Sequence, residues 1–527
     1  MSLSWTFPYP SQRMPIFARN VVATSQPLAA QAGLQMLARG GNAVDAAIAT
    51  AITLTVVEPT SNGIGSDAFA IIWDGKELYG LNGSGRSPGA WNPSRFSGRA
   101  RMPELGWDTV TVPGAVDVWI SLSRRFGKLP FVDLFEPAIR YAADGFLVSP
   151  ITAVKWSAAP ELYVDYPDFA TAFLPGGRAP LAGEAFRFQA MADTLKGIAE
   201  TFGESFYRGQ LAEKITSYAA KTGGAITLND LAEHRSEWVK PLSQEWQGVT
   251  LHELPPNCQG LHVLIALGIL EHLAIAQYPV DSADGIHLQI EAMKMAFSLA
   301  RQQIADPGWM KAQPTSLLDR SFLEERARSI QMDRAQFPAP ATPPDGGTVY
   351  LTAADQGGMM VSYIQSNYQG FGSGIVIPGT GISLQNRGRG FTLEKGHPNC
   401  VAGGKRPYHT IIPGFVMKEG APLMGFGVMG AHMQAQGHVQ MMVRIIAGHQ
   451  NPQCAADAPR WYITEDSLLA LEKAFSPSIR EELQRRGHIL APETPTSVFG
   501  GAQLIYRLQD GYCAASDPRK DGQAVGF

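Results

Sequence analysis

At 527 residues the chain has material for a large core and, by length alone, for more than one domain. Its composition, 45% hydrophobic and 17% charged with 55 glycines, is that of a tightly turned globular protein. A formal charge of -4 gives no reason to expect nucleic acid or an anionic membrane as partner.

In chain order, the first residues lack a basic region followed by an apolar run. No secretory signal is read and a cytoplasmic location is expected, although a chain with its signal removed would look the same. Residues 26–39 read as a helix stopped by Gly40-Gly41, and Asn42 can cap a second, alanine-rich helix over 43–56. The apolar run 46–57 is too short and too rich in threonine to span a bilayer. Strands are expected at 68–73 and 77–81 around the Asp74-Gly75 hairpin signal. Helix, helix, strand, strand is a layered start, unlike the alternation of a doubly wound sheet.

Helical patterns then dominate to about residue 332, including 115–125, 131–144, 189–202 and 286–306, with a strand at 249–253. A proline-alanine tract, Phe337 to Pro344, can form neither helix nor central strand. Beyond it the pattern changes to strands at 349–354, 359–365, 382–385, 411–417 and 423–426. Helices at 431–447 and 477–486 and a strand at 502–508 follow. Neither half holds a complete set of layers, so both are expected to contribute strands to one core.

The four cysteines, Cys258, Cys400, Cys454 and Cys513, are far apart, and the eleven histidines form no ligand pattern. Neither metal nor cofactor is read. Gly425-Phe426-Gly427-Val428-Met429-Gly430 is formally G-x-G-x-x-G, but the next acid, Asp457, lies in a loop, so a dinucleotide site is rejected. Two readings remain for those glycines: tight strand-to-helix packing, or backbone N–H groups at Gly430 and Ala431 facing a developing negative charge.

There is no Gly-x-Ser-x-Gly elbow. Thr348, however, opens a strand directly behind two glycines and the extended tract. Locally this is an interdomain linker ending in a strand, or else a threonine meant to become an N-terminus. A threonine hydroxyl needs a base, and an α-amine on the same residue, with pKa about 8, can serve. That amine exists only once the Gly347-Thr348 bond is cut. Gly347 permits the backbone conformation that attack by the Thr348 hydroxyl requires.

Several blocks together resemble the gamma-glutamyltranspeptidase family over nearly the whole chain. They are Gly40 to Ala47, Ser61 to Gly65, Val112-Pro113-Gly114, Thr348, Gly370 to Ile375, Lys405-Arg406-Pro407, Gly430-Ala431 and Ala515 to Arg519. The resemblance implies an α+β, four-layer αββα N-terminal-nucleophile hydrolase made as a self-cleaving precursor. Segment 1–347, with 333–347 as a mobile leader, and segment 348–527 would remain associated in one domain. A homodimer is compatible with this. Thr348 would be acylated by a small-molecule amide and the acyl group passed to water or an amine. The resemblance places Gly430 and Ala431 at the oxyanion and Ser366 beside the nucleophile's amine.

The departures concern the substrate. Where the family holds a carboxylate-binding arginine, this chain has Ser84, with Arg86 two residues on. An Asn becomes Tyr368, an acid that binds the α-amine becomes Gly390 beside Arg387 and Arg389, and paired serines become His409-Thr410. Arg86, Arg387, Tyr368, His409 and Thr410 are therefore the candidate substrate-binding residues, with structural roles for the arginines as the alternative. The expected substrate is an acyl amide bearing a carboxylate, of the glutaryl type. A standard glutathione transferase/hydrolase and an unprocessed, non-catalytic relative are the rivals.

Overall fold

The computed structural model describes residues 12–336, 347–464 and 466–527. The proline-alanine tract and most of the expected leader lie outside the described residues. Among those described, no helix is long and apolar enough to cross a membrane.

Two seven-stranded antiparallel sheets organise the chain. The first runs, edge to edge, Ile16–Ala18, Tyr512–Ser516, Gly501–Arg507, Ala421–Met429, Gly414–Lys418, Val249–Glu253 and Leu242–Trp246. The second runs Gln523–Gly526, Val21–Thr24, Gly347–Ala354, Met360–Tyr368, Asp67–Trp73, Leu78–Asn82 and Glu237–Val239. Each sheet draws strands from both sides of residue 347.

Period-two alternation sorts the side chains into layers. On Gly347–Ala354, Val349, Leu351 and Ala353 face a core that includes Val44, Ala47 and Ala51 of the helix Ala43–Val57. Tyr350 and Ala354 face the other core with Phe426 and Val428 of the first sheet. The helices Gly260–Glu271, Ala283–Ala300 and Met433–Met442 pack into this second core. The Ala43–Val57 helix starts at a capping box: Asn42 Oδ1 accepts from Val44 and Asp45, and Asp45 accepts from Asn42 N–H. All fifteen of its residues are buried, which its small side chains permit.

Three expectations change. Residues 382–385 join no sheet; Leu384 and Ser383 form only isolated bridges to Gly65 and Val376. The helix expected over 131–144 begins as a 3-10 turn, Phe131–Phe135, and becomes α-helical only at Glu136–Asp144, where Pro137 is tolerated in the first turn. The glycines of the G-x-G element pack sheet against sheet, not strand against helix. A Cβ on Gly427 would lie 2.4 Å from the Tyr350 ring, and one on Gly425 2.9 Å from Thr352 Oγ1.

Candidate active site

Thr348 sits at an irregularity in its own strand. Gly347 pairs with Tyr368 and Val349 with Gln365, so the register slips between them and Thr348 bulges. It is 3% exposed. A Cβ at Gly347 would lie 3.0 Å from Gly370 N and Ser61 Cα, so a side chain there requires the neighbouring backbone to give by a few tenths of an ångström.

The Ser366 hydroxyl is the hub. It accepts from Thr348 Oγ1 at 3.2 Å, from Tyr368 N–H at 2.7 Å and from Arg387 Nη2 at 3.4 Å, and donates to the Gly347 carbonyl at 2.6 Å. One side chain therefore holds the candidate nucleophile and polarises the carbonyl beside it. Gln434, in the first turn of Met433–Met442, donates to Thr348 Oγ1 at 3.4 Å and is itself fixed by Ile412 N–H at 3.0 Å.

Between the strand Ala421–Met429 and that helix, Gly430 (φ +119°) and Ala431 (φ +48°) turn the chain through the left-handed region. The Ala431 carbonyl accepts from Gln259 Nε2 at 2.8 Å, which fixes one face of the turn. Among the described residues, the N–H groups of Gly430 and Ala431 donate to nothing. Two uncommitted donors near a helix N-terminus suit an anion forming opposite them.

Behind Ser366 lies a buried charged layer. Asp67, the cross-strand partner of Ser366, accepts from Gly85 N–H, Gly114 N–H and His409 Nε2 at 3.3, 3.2 and 3.1 Å. Burial outweighs Arg387 and these donors and pushes the Asp67 carboxyl up to about 7. Burial, then Arg387, holds His409 neutral, well below the usual histidine range. Arg387 is 1% exposed, donates to Thr410 Oγ1 at 2.8 Å and lies 4.2 Å over the Tyr368 ring. Burial pulls its guanidinium down to about 10, which leaves it charged at neutral pH.

Thr348, Ser366, Tyr368, Arg387, His409 and Thr410 thus form one cluster, with Gly430 and Ala431 joined to it through Gln434. Arg86 is not part of it. Its guanidinium pairs with Asp306 at 3.0 Å and Glu237 at 3.2 Å and donates to the Gly404 carbonyl, half exposed. Arg389 is likewise engaged by Glu104 at 2.9 Å and by Gln369. Gly390 cannot simply regain an acid, since a Cβ there would lie 2.5 Å from the Tyr408 carbonyl. Sequence reasoning missed Asp67, Gln259 and Gln434, none of which stands in a recognisable spacing.

One group has metal-like spacing among the described residues: His287, Glu291 and His488, with ligand atoms within 4.8 Å of one another. Lys294 already supplies the cation, 2.9 Å from Glu291 Oε1 and 3.4 Å from His488 Nδ1. His488 and His287 continue the chain to the Gln331 carbonyl. The cluster is a hydrogen-bonded tie between helix and loop.

Known proteins resemble this chain over most of its length. Residues 29–527 match the family model for gamma-glutamyltranspeptidase. The chain is similar to a Bacillus subtilis glutathione hydrolase-like YwrD proenzyme, 34% identical over 97% of this chain and 99% of that one. It is also similar to a Klebsiella pneumoniae oxamate amidohydrolase proenzyme, 35% identical over 95% and 97%. A crystal structure of cephalosporin acylase from Bacillus halodurans matches at 46% identity and TM-score 0.95, covering 100% of this chain and 99% of that one. The chain belongs to the gamma-glutamyltranspeptidase family. It is an enzyme of that family's hydrolase and acyltransferase type.

Proposed function

We propose that this protein is a self-processing amidohydrolase of the N-terminal-nucleophile type, with the αββα sandwich of that class, acting on acyl amides that carry a carboxylate. The observation that carries this reading is the single Ser366 hydroxyl bonded to both Thr348 Oγ1 and the Gly347 carbonyl oxygen.

In processing, Thr348 Oγ1 attacks the Gly347 carbonyl carbon, which Ser366 polarises. The C–N bond breaks, the nitrogen becomes the Thr348 α-amine, and the resulting Gly347 ester is hydrolysed by water. In turnover that amine takes the hydroxyl proton as Thr348 attacks a substrate amide. The oxyanion is received by the N–H groups of Gly430 and Ala431, and the leaving amine departs with the proton. Water or an amine then releases the acyl group. Segments 1–347 and 348–527 stay together because both sheets interleave their strands.

A carboxylate-bearing substrate is favoured by the cationic surroundings and by the closure of the Gly390 position, which removes the partner for a free α-ammonium. The name of the Klebsiella relative points the same way, oxamate being an amide with an adjacent carboxylate. Denaturing electrophoresis with N-terminal mass analysis tests processing: two fragments meeting at 347/348 are expected. Thr348→Ala is expected to remain one chain and to lose at least about 10⁴-fold in turnover. Cleavage at 347 in that variant would remove Thr348 as nucleophile. Comparing a glutaryl with a γ-glutamyl anilide tests the substrate class, and strong preference for the latter would favour glutathione-type specificity.

A further inference from the structure

A cleft of about 680 Å³ opens beside the site. Its inner wall includes Tyr368, whose N–H donates to Ser366, and His432, the residue after Ala431. Chemistry and cleft therefore share both boundaries. The cleft also takes in Arg301, Lys311, Arg389 and Lys395 against the single acid Glu394, so it is electropositive.

These cations are not equivalent. Arg389 is held by Glu104 and Gln369, and Lys311 reaches the Gly396 carbonyl. Arg301, half-buried at the C-terminal end of the helix Ala283–Ala300, makes no ion pair or side-chain hydrogen bond among the described residues. On the same cleft, His432 is 5% exposed and stacked on Tyr408 with ring centroids 5.8 Å apart. Its Nε2 is buried and has no partner among the described residues. A buried polar atom left unpaired is costly, and an unpaired arginine lining the same cleft offers a fork matched to a carboxylate.

We propose that Arg301, with the His432 imidazole, is the seat for a substrate carboxylate and so a specificity-determining residue. This rests on the amidohydrolase reading for its substrate and names the group that reads the charge. The carboxylate can belong to the acyl chain or to the leaving amine, and both offer the same chemistry to the seat.

Three amides separate the sources: pentanoyl anilide as the uncharged reference, glutaryl anilide with the carboxylate on the acyl side, and the pentanoyl amide of 4-aminobenzoate with it on the leaving side. Arg301→Gln is expected to lower kcat/KM for the charged member of one pair by about 10- to 100-fold relative to its uncharged counterpart, chiefly through KM. Arg301→Lys should restore part of that ratio. An equal loss on all three amides, or no change in either ratio, would overturn the proposal. An arginine serving only to cap its helix would lower the melting temperature and spare both ratios. Glutarate binding by calorimetry to the wild type and to Arg301→Gln needs no turnover. It therefore reports on the seat even if no amide is cleaved, in which case the amidohydrolase reading alone fails. Equal binding to the two, or none to the wild type, counts against Arg301.

Discussion

Two buried aspartates of this molecule face arginines and have opposite fates. Asp517 is fully buried beside Arg460 and Arg519. Burial would raise its carboxyl, but the two guanidiniums and the N–H groups of Ala502 and Arg519 outweigh it and bring it down to about 2. Asp67, equally buried, feels Arg387 and Arg406 but is ion-paired to neither among the described residues; it has two longer N–H contacts and a neutral histidine, and ends near 7. The first arrangement saturates a charge and locks the C-terminal strands. The second leaves charge under-compensated beside the candidate nucleophile. Burial is common to both; the number and length of donors decide whether it stabilises a fold or tunes a site.

The largest effect that can break this contrast is Asp517→Asn. It removes the charge that Arg460, 0% exposed, and Arg519 were buried against. Loss of one partner of a buried pair costs about 3–5 kcal/mol. Chemical denaturation should show that loss, with per-molecule turnover of the folded fraction little changed. A variant of wild-type stability would mean that the knot holds nothing.

The next effect falls on the other region and on rate. Gly430 adopts φ +119°, and a Cβ there would approach Gly500 Cα to 3.1 Å and Met433 Cβ to 3.3 Å. Gly430→Ala must shift the peptide that carries the free N–H. Loss of one oxyanion donor costs about 10²–10³-fold in turnover, so kcat should fall by that amount while KM and the melting temperature change little. A drop in stability without a drop in kcat would assign the turn to packing.

What could be read beforehand divides along the same line. The helix 43–56, the strand 249–253 and the strand that opens behind the Gly346-Gly347 pair were legible because a cap, a period or a flanking glycine pair marks each locally. The strands Val21–Thr24 and Gln523–Gly526 were not anticipated, since their pairing joins chain ends some five hundred positions apart. The block Ala515 to Arg519, quoted as family resemblance, has a structural meaning: its Asp517 and Arg519 build the saturated knot. The G-x-G spacing imitated a nucleotide motif because glycine answers any close approach, here that of Tyr350. Arg86 was nominated by proximity along the chain, but Asp306 and Glu237, more than a hundred residues away, hold its side chain. Asp67, Gln434 and Arg301 gave no signal because their roles lie in which partners they meet or lack.

The smallest and most diagnostic test is the pH dependence of stability. A carboxyl raised to about 7 in the fold stays protonated while the unfolded chain ionises near 3.9. The native state then holds the extra proton, so Asp67 makes stability fall as pH rises from about 4 to 7, and its contribution is flat above that. Asp517, lowered to about 2, has the opposite sign: its stabilisation is complete above the unfolded value and is lost as pH falls from about 4 to 2. Asp67→Asn removes the first limb alone. Relative to wild type, the variant should gain about 2–3 kcal/mol between pH 5 and pH 8, read as a difference of melting temperatures. If the two proteins keep the same separation across that range, Asp67 carries its charge as quietly as Asp517, and the difference between the two regions lies in the peptide turn at Gly430 and not in the buried acid.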